Sequence, residues 1–446
     1  MGSPESSEFS RVQFYRRICH WVIRSGVLKC TAMGRARGTL AVDLPVVVSN
    51  EAPVWFHAAS VGELESLWTV IYRWLAEGGM AVVTVFSDSA ITKVRSLALE
   101  VEKGVEGAGA RLLFAGYSPW EGEWLAAFRW FRPSAFVTVK YEAWPELWAS
   151  LAEEKIPLLI LGAKERSSLK FVSRALGWLK CPLPDLSLLT LLQSDQEPLR
   201  KVFPTARVDT TGDPRWDRVF ERIHRGSERA KELISALGDL PRPWGVIGSA
   251  WKEDLDAFGH RLYQISGTLW VVPHHVDSET TRVLSGILEH GYRPVISTRL
   301  LDLQRPQLSE SKQRAAVIVD EMGFLAELYA AADWAFVGGG FGAGVHSTIE
   351  PAIQGVPIAC GPARAQSFAE IEELRSTLQL RITTDADAIA EWLRTLGVLP
   401  FMGKHTEVTE RDRRDWQEQA KARLGATGRV YERLREKVRN LPVHTV

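Results

Sequence analysis

The sequence predicts an α/β protein of two domains, each with a parallel β-sheet that is covered by helices on both faces. Short β-rich runs alternate with longer helical stretches from about residue 53 onward. The runs are almost continuously apolar, which is typical of strands buried on both faces of a parallel sheet. The 446 residues are enough for two or three domains with a core in each.

The predicted strands fall into two sets. The first set contains VWFHA, AVVTVFS, RLLFAG, AFVTVK, PLLILGA and LLTLLQS; the second contains GVIGSA, LWVVPHH, AVIVD, WAFVGG and VPIACGP. Predicted helices lie between the early strands at residues 64–75, 121–131 and 144–153. A charged segment that ends in LGDLPRP separates the sets. We therefore place one domain at 41–230 and a second at 231–405. A segment at 1–40 precedes them, and a charged helical segment at 406–446 follows. One option is that this last segment packs on the first domain.

Composition excludes several classes of protein. Hydrophobic residues make up 46% and charged residues 24%, and 54 Lys plus Arg balance 54 Asp plus Glu, so nothing suggests a nucleic-acid-binding polycation. The four cysteines form no C-x-x-C pair, and no H-E-x-x-H motif is present. We therefore expect neither a metal site nor a disulfide framework.

The N-terminal segment has an uneven charge. Between Glu8 and Asp43 there are seven basic residues and no acidic one. One predicted helical face carries Phe14, Ile18, Trp21, Ser25 and Leu28, beside Arg17, His20 and Arg24. This pattern predicts a basic amphipathic helix that lies in a membrane interface. The alternative is a helix packed on its own protein with solvated arginines.

The stretch Ser60-Val61-Gly62-Glu63 follows the first predicted strand. Gly62 permits a tight turn, and Ser60 is able to cap the helix that follows. One interpretation makes Glu63 the capping-box partner of Ser60, which is a common arrangement. The other makes Glu63 a general base that accepts a proton from a hydroxyl nucleophile. The spacing does not decide between them.

A glycine-rich turn, VGGGFGAGVHSTIEP, spans Val337 to Pro351. Its glycines allow close backbone approach to an anion, and the amides at the following helix start, with the hydroxyls of Ser347 and Thr348, are suitable phosphate donors. Glu350 is placed to accept from sugar hydroxyls. The turn lacks the lysine of a P-loop, and its alternative role is a strand-to-helix turn without a ligand.

Three more strand ends carry polar residues. Ser249 in GSAWKED either contributes to the same predicted site as the glycine-rich turn or serves as an ordinary helix N-cap. His274 and His275 are adjacent in a predicted strand, so we expect them on opposite faces and unsuitable as joint metal ligands. Lys140 and Glu142 either bind a polar or anionic substrate or form a partly buried ion pair.

These motifs together resemble the 3-deoxy-D-manno-octulosonic acid (Kdo) transferases of Gram-negative bacteria. The matching stretches, in order, are WFHAASVGE, KYEAWP, GDPRWDRV, GSAWKED, DEMGFLAELYAAADWAFVGGGFGAGVHSTIEPAIQGVPIACGP and SFAEIEEL, from about residue 52 to 375. The resemblance implies a GT-B fold, with two Rossmann-like domains facing across a cleft. It implies a metal-independent, inverting transfer of Kdo from CMP-Kdo to a lipid A precursor, with no cofactor, at the cytoplasmic face of the inner membrane.

The family's site residues carry over to this sequence. Glu63 matches the catalytic base. The acceptor side in the first domain comprises Ser60, Gly62, Lys140, Glu142 and Arg166. The CMP-sugar side in the second domain comprises Ser249, Trp251, His274, Met322, Gly323, Gly340, Gly342, Gly344, Ser347 and Glu350.

This sequence departs from the usual motifs of the family at three places. It has K-Y-E where many members have E-x-E, which points to a subgroup, and Ser347 stands where most members have Asn. It also has Pro273-His274-His275-Val276 in place of P-R-H-P, so we expect Arg215 or Arg364 to supply the missing anion contact. The alternatives in function are a GT-B transferase that uses a UDP-sugar and a non-catalytic sugar- or lipid-binding relative.

Overall fold

The computed structural model describes residues 11–19, 51–104, 107, 111–140, 142–300, 314–399 and 408–439. The chain divides into two compact units, one of residues up to Arg218 together with those from Gly425, and the other of Val219–Leu424. Among the described residues, each unit contains one parallel sheet of seven strands. The predicted α/β class with two parallel sheets is therefore confirmed.

The first unit alternates strands and helices along the chain. Its strands are β1 (Val54–Ala58), β2 (Ala81–Val85), β3 (Leu112–Tyr117), β4 (Ala135–Val139), β5 (Leu158–Leu161), β6 (Leu186–Thr190) and β7 (Arg207–Thr210), in the sheet order β3-β2-β1-β4-β5-β6-β7. Its helices are α1 (residues 11–19), α2 (Val61–Ala76), α3 (Asp88–Gly104), α4 (Trp124–Phe131), α5 (Pro145–Glu153), α6 (Ser167–Leu179) and α7 (Gln196–Val202). Helix α8 (Arg215–Arg225) crosses the division between the units.

The second unit has the same alternation. Its strands are β8 (Trp244–Ala250), β9 (Gly267–Pro273), β10 (Val295–Ser297), β11 (Arg314–Ile318), β12 (Trp334–Val337), β13 (Ile358–Cys360) and β14 (Leu380–Ile382), in the order β10-β11-β9-β8-β12-β13-β14. Its helices are α9 (Glu228–Ala236), α10 (Lys252–Phe258), α11 (Ser278–Leu288), α12 (Leu325–Ala331), α13 (Ile349–Ile353), α14 (Ala369–Ser376), α15 (Ala386–Thr395) and α16 (Glu410–Ala422), and α17 (Ala426–Arg439) follows in the first unit. Short 3-10 helices lie at Gln193–Asp195, Gly259–Gln264, Thr298–Leu300 and Ala365–Ser367.

The central strand β1 shows why the predicted strands are so apolar. All five of its residues are buried. Val54, Phe56 and Ala58 pack into the core on one face of the sheet, and Trp55 packs into the core on the other. Successive side chains of a strand point to opposite faces, so a strand with a core on both sides needs apolar residues at every position.

Three strands of the structure are not among those predicted from the sequence. β7, β10 and β14 are three or four residues long and lie at sheet edges, where one side is not paired with another strand. Such short strands carry too few residues for an apolar run to be recognised.

The C-terminal segment is divided between the units. Helix α16 belongs to the second unit, where Gln417 Nε2 donates to Gln354 O at 3.0 Å. Helix α17 belongs to the first unit, and its Val430 and Leu434 are buried in the core beside α2. The contacts between residues thus divide the two units after Arg218 and after Leu424, whereas the sequence predicted domain boundaries after residues 230 and 405.

Helix α1 packs on the first unit through a buried arginine. Arg16 Nε lies 3.0 Å from Glu146 Oε1, and its Nη1 lies 2.8 Å from Glu153 Oε2. Phe14 and Ile18 point outward and are 62% and 44% exposed. The rest of the predicted apolar face, from Trp21 onward, lies outside the described residues. No helix in the described part of the chain is long and apolar enough to span a bilayer.

Candidate functional site

Glu63 lies in the first turn of α2, directly after β1. Its Oε2 accepts a hydrogen bond from the backbone amide of Ala59 at 2.7 Å. Ser60 is the N-cap residue, but its side chain makes no capping hydrogen bond. The predicted capping box between Ser60 and Glu63 is therefore wrong, because Glu63 reaches one residue further back along the chain.

Gly62 has a different role from the predicted one. It lies inside α2, it is not among the residues with positive φ, and a Cβ added there meets nothing within 4 Å. The turn therefore does not require a glycine. A side chain at position 62 would point into open space, so the predicted contact of Gly62 with the acceptor stays a prediction.

The environment of Glu63 favours its protonated form. The residue is 6% exposed. Burial, followed by the negative charge of Glu142, raises the pKa of Glu63 from the ordinary 4.5 to about 7. The amide of Ala59, a protonated His57 and the positive charge of Lys140 act in the opposite direction. A carboxyl group with this pKa exchanges a proton near neutral pH, as a general base must.

Glu142 is held in the loop between β4 and α5. Trp144 Nε1 donates to its Oε2 at 2.7 Å, and His57 Nε2 lies 3.4 Å from the same oxygen. Burial alone raises the pKa of Glu142, but the contacts with His57 and Trp144 bring it below the ordinary value. These two side chains come from β1 and from the loop itself, and the alternative of a Lys140–Glu142 ion pair stays a prediction.

Lys140 and Arg166 complete the predicted acceptor side. Lys140 has a left-handed backbone with φ of 55°, and its side chain packs against Gly162. Its charge also lowers the pKa of Asp213, after the effect of Arg215. Arg166 is the N-cap residue of α6 and is partly buried. The prediction that both bind the acceptor stays a prediction.

In the second unit, β8 ends in a strained turn that faces the glycine-rich turn. Ser249 has a positive φ of 52°, which is unusual for a residue other than glycine. The buried carboxylate of Asp254 accepts hydrogen bonds from the amides of Trp251 at 3.0 Å and Gly339 at 2.7 Å. Asp254 thus ties the GSAWKED segment to the glycine-rich turn. Asp254 is not among the predicted site residues, although an acidic residue three positions after a helix N-cap is typical of a capping box.

The glycines of this turn serve different purposes. A Cβ at Gly340 would lie 2.5 Å from the amide nitrogen of Gly361, so this glycine lets two backbone segments touch. Gly344 has a φ of 121° and lies against Arg364. Gly342 is open, with Glu253 Cγ as the nearest atom at 4.0 Å. Protein packing and the backbone conformation thus explain Gly340 and Gly344, whereas the predicted role of Gly342 in ligand approach stays a prediction.

Amides of the glycine-rich turn are also used within the turn. Those of Gly342 and Gly344 both donate to the carbonyl of Gly339, at 3.0 and 2.8 Å. The Thr348 hydroxyl is buried and has no hydrogen-bond partner among the described residues, whereas Ser347 is exposed. Of the two hydroxyls predicted to bind phosphate, only that of Ser347 is accessible.

Trp251, His274 and His346 form a stacked aromatic cluster. The rings of Trp251 and His274 are 4.8 Å apart, those of His274 and His346 are 4.3 Å apart, and both pairs are inclined by 21°. Burial, helped by the neighbouring imidazoles, lowers the pKa of His346 to about 4 and also lowers that of His274. Both imidazoles are therefore neutral at pH 7, and the cluster is an uncharged aromatic surface.

The prediction that His274 and His275 point to opposite faces is wrong. β9 ends at Pro273, so both histidines lie beyond the strand, and both rings contact Trp251. The described residues contain no group of three or more His, Cys, Asp or Glu placed to hold a metal ion.

The remaining predicted donor residues lie on other loops. Glu350 pairs with Arg222, with Nη2 to Oε1 at 2.6 Å. Met322 is 80% exposed, and Gly323 follows with a φ of 107°. Both residues are exposed, and their predicted contact with the nucleotide stays a prediction.

Arg215 and Arg364 were the candidates to supply the anion contact of the arginine in the P-R-H-P motif, which this sequence lacks. Arg215 is bound to Asp213 through its Nε and Nη2, at 2.9 and 2.5 Å. Arg364 is exposed and lies along Gly344 in the glycine-rich turn. Of the two, Arg364 is the better placed for an anion at that turn.

The fold defines the class of protein. Solved structures with the same fold include a putative UDP-N-acetylglucosamine 2-epimerase from Listeria monocytogenes, with a TM-score of 0.54, 11% identity, and coverage of 88% of this chain and 98% of that one. A glycosyltransferase from Rickettsia africae gives a TM-score of 0.51 at 9% identity, with coverage of 88% and 100%. These likenesses show the fold alone, and they place the chain in the GT-B class.

Sequence comparison supports the resemblance to the Kdo transferases. Residues 31–218 match the family model described as 3-deoxy-D-manno-octulosonic-acid transferase (kdotransferase). The Kdo transferase of Chlamydia trachomatis serovar A is 27% identical over 395 residues, which is 82% of this chain and 80% of the relative, and that of Chlamydia muridarum is 26% identical over 405 residues, 86% and 85% of the two chains. The chain is thus similar to Kdo transferases over most of its length, as the motifs predicted.

Proposed function

We propose that this protein transfers Kdo from CMP-Kdo to the lipid A precursor lipid IVA, with inversion at the anomeric carbon and without a metal ion. The similarity to Kdo transferases over most of the chain supports the sugar that is transferred. One structural observation supports the mechanism: Glu63 is a buried carboxyl group at the start of α2 whose pKa is raised to about 7.

In the proposed reaction, Glu63 acts in a single displacement. An acceptor hydroxyl gives its proton to the Glu63 carboxylate as its oxygen forms a bond to the anomeric carbon of Kdo. The bond from that carbon to the phosphate oxygen breaks, and CMP leaves with the electron pair. Ala59 donates to one oxygen of Glu63, while the other, Oε1, accepts no hydrogen bond from the described residues, so it is the atom that takes the proton.

The donor is assigned to the second unit. The neutral surface of Trp251 and His274 suits a planar or sugar ring, and Ser347 with Arg364 offers donors to a phosphate. Glu350 accepts from the ribose hydroxyls of CMP, while its partner Arg222 holds the carboxylate in position. Thermal-shift measurements with CMP, UDP and CMP-Kdo test this choice of nucleotide. Stabilisation by UDP in preference to CMP would contradict it.

We also propose that the protein works at the cytoplasmic face of the inner membrane, through a surface formed by α1 and α6. The two helices meet where Arg11 Nη1 donates to Trp178 O at 2.8 Å. Phe14 and Ile18 on α1, and Phe171 and Trp178 on α6, are 44 to 65% exposed. Exposed basic residues lie on the same two helices: Arg11, Arg17, Lys170 and Arg174. Exposed aromatic rings among basic side chains are typical of binding to an anionic bilayer interface.

Vesicle flotation tests this surface. Phe171→Ser together with Trp178→Ser should weaken binding to vesicles that contain anionic lipid. A matched control is Leu378→Ser, because Leu378 is 85% exposed but lies in the second unit. Equal binding of the double variant and the control variant would refute the surface.

A further inference from the structure

His57 is buried between the hydrogen-bonded pair of Trp55 and Thr84 on one side and the carboxylate of Glu142 on the other. β1 and β2 pair in register so that His57 lies opposite Thr84. The indole Nε1 of Trp55 donates to the hydroxyl oxygen of Thr84 at 2.8 Å, and the same oxygen lies 3.0 Å from His57 Nδ1. On the other side of the imidazole, Nε2 lies 3.4 Å from Oε2 of Glu142.

The contacts of Thr84 are compatible with a proton of His57 that faces Glu142. An indole N–H only donates, so the Thr84 oxygen accepts it. The hydrogen of the Thr84 hydroxyl is then available to His57 Nδ1, and we assign it there. When Nδ1 accepts, a neutral imidazole carries its proton on Nε2, which faces Glu142. His57 is 1% exposed, so these contacts are shielded from bulk water.

Glu142 requires such a donor. It is 5% exposed, and a buried carboxylate remains ionised only when donors compensate for the lost water. Trp144 supplies one donor to the side chain, and Trp148 Nε1 fixes the loop by donating to the carbonyl of Glu142 at 2.9 Å. His57 Nε2 faces the same carboxylate oxygen at 3.4 Å, so a small closing movement would make it a second donor.

We propose that His57 is a positioning residue for the candidate base Glu63, and that it acts by holding Glu142 ionised and in place. This inference rests on the proposed function, in which Glu63 takes the proton of the acceptor. The charged groups that act on Glu63 are Glu142 and Lys140 from the loop after β4, and His57 from β1. Glu142 raises the pKa of Glu63, whereas Lys140 and a protonated His57 lower it.

The direction in which the pKa of Glu63 changes when His57 is removed therefore distinguishes two roles for His57. If His57 is a neutral donor to Glu142, its loss lets Glu142 take up a proton, and the pKa of Glu63 falls toward the ordinary 4.5. If His57 instead acts directly as a cation, its loss raises the pKa of Glu63. A purely structural role changes the transfer rate at every pH without moving the pKa.

The test follows the titration of Glu63 by ¹³C NMR in protein labelled at the glutamate side-chain carboxyl, with Glu63→Gln to identify the signal. It needs no substrate, so it is independent of whether the protein transfers Kdo. We expect a pKa of about 7 in the natural protein and a lower value in both Glu142→Gln and His57→Phe. Thr138→Val is the matched control, because Thr138 is another buried strand threonine and its hydroxyl has no partner among the described residues.

Two results would overturn the inference: an unchanged or raised pKa of Glu63 in folded His57→Phe, or an equal fall in Thr138→Val. If His57→Phe does not fold, as judged by circular dichroism, Thr84→Val replaces it, since this variant removes the hydroxyl that donates to Nδ1. The pKa of Glu63 should again fall, and an unchanged value in folded Thr84→Val overturns the inference. In active enzyme, the acidic limb of the kcat/KM profile should move to lower pH with the pKa.

Discussion

Replacing Glu63 with glutamine separates its catalytic role from its structural role. Glutamine retains an oxygen that accepts the Ala59 amide, but it does not take up a proton. Loss of a general base typically lowers the rate by about 10²–10⁴-fold. The natural enzyme should also lose kcat/KM about tenfold for each pH unit below about 7, because only the ionised carboxylate accepts the proton.

The same substitution should stabilise the protein. The pKa of Glu63 rises from 4.5 in the unfolded chain to about 7 in the folded one. At about 1.4 kcal/mol per unit of pKa, ionised Glu63 costs the folded state about 3 kcal/mol. The folded state binds the proton more tightly, so this cost is absent below pH 4.5, grows as the pH rises, and is complete above pH 7. Glu63→Gln should therefore be more stable than the natural protein at pH 8, and the difference should vanish near pH 4.

Two assays check this pair of effects. Initial rates of CMP release give the activity, and urea unfolding at pH 8 and pH 5 gives the stability. The reasoning predicts a slow variant that is more stable at pH 8. A variant with near-natural turnover would refute the role of Glu63 as base, and a variant less stable at pH 8 would refute the assignment of a raised pKa.

Three further predictions concern other parts of the chain. Glu350→Ala should weaken CMP binding in calorimetry while leaving the unfolding transition in place; unchanged affinity would count against a ribose contact. Gly340→Ala should destabilise the protein by about 1–3 kcal/mol, because its Cβ meets the Gly361 backbone, whereas Gly342→Ala should fold normally and weaken only nucleotide binding. Arg16→Met should cost roughly 3–5 kcal/mol in chemical denaturation, since it leaves the fully buried Glu146 carboxylate unpaired; a loss below about 1 kcal/mol would show that this pair is not needed.

The predictions from sequence succeeded where a pattern is local and repeated. Strands buried on both faces, such as β1, carry a strong signal because nearly every residue is apolar; in β1 the exception is His57. The order of six motifs led to the family before any geometry was known. Edge strand β7 escaped because only four residues, RVDT, define it.

The site was only partly predictable because its important contacts join distant residues. Glu63 was identified as the base, but its effect on protonation depends on Glu142, which lies 79 residues further along the chain. His57 belongs to the motif WFHAASVGE, but its proposed role depends on the register of β1 with β2 and on the position of the loop after β4. In the same way, spacing suggested a Ser60–Glu63 capping box, and only the backbone geometry showed that Glu63 bonds Ala59 instead.

The transfer of Kdo is tested most directly by mass spectrometry of lipid IVA after incubation with CMP-Kdo, with metal chelated, for the natural protein and Glu63→Gln in parallel. The proposed function predicts lipid that carries added Kdo, with one CMP released for each sugar, and a product yield from the variant that is lower by orders of magnitude at equal times. Unmodified lipid IVA in the presence of protein that binds CMP, or equal product from both proteins, would contradict it.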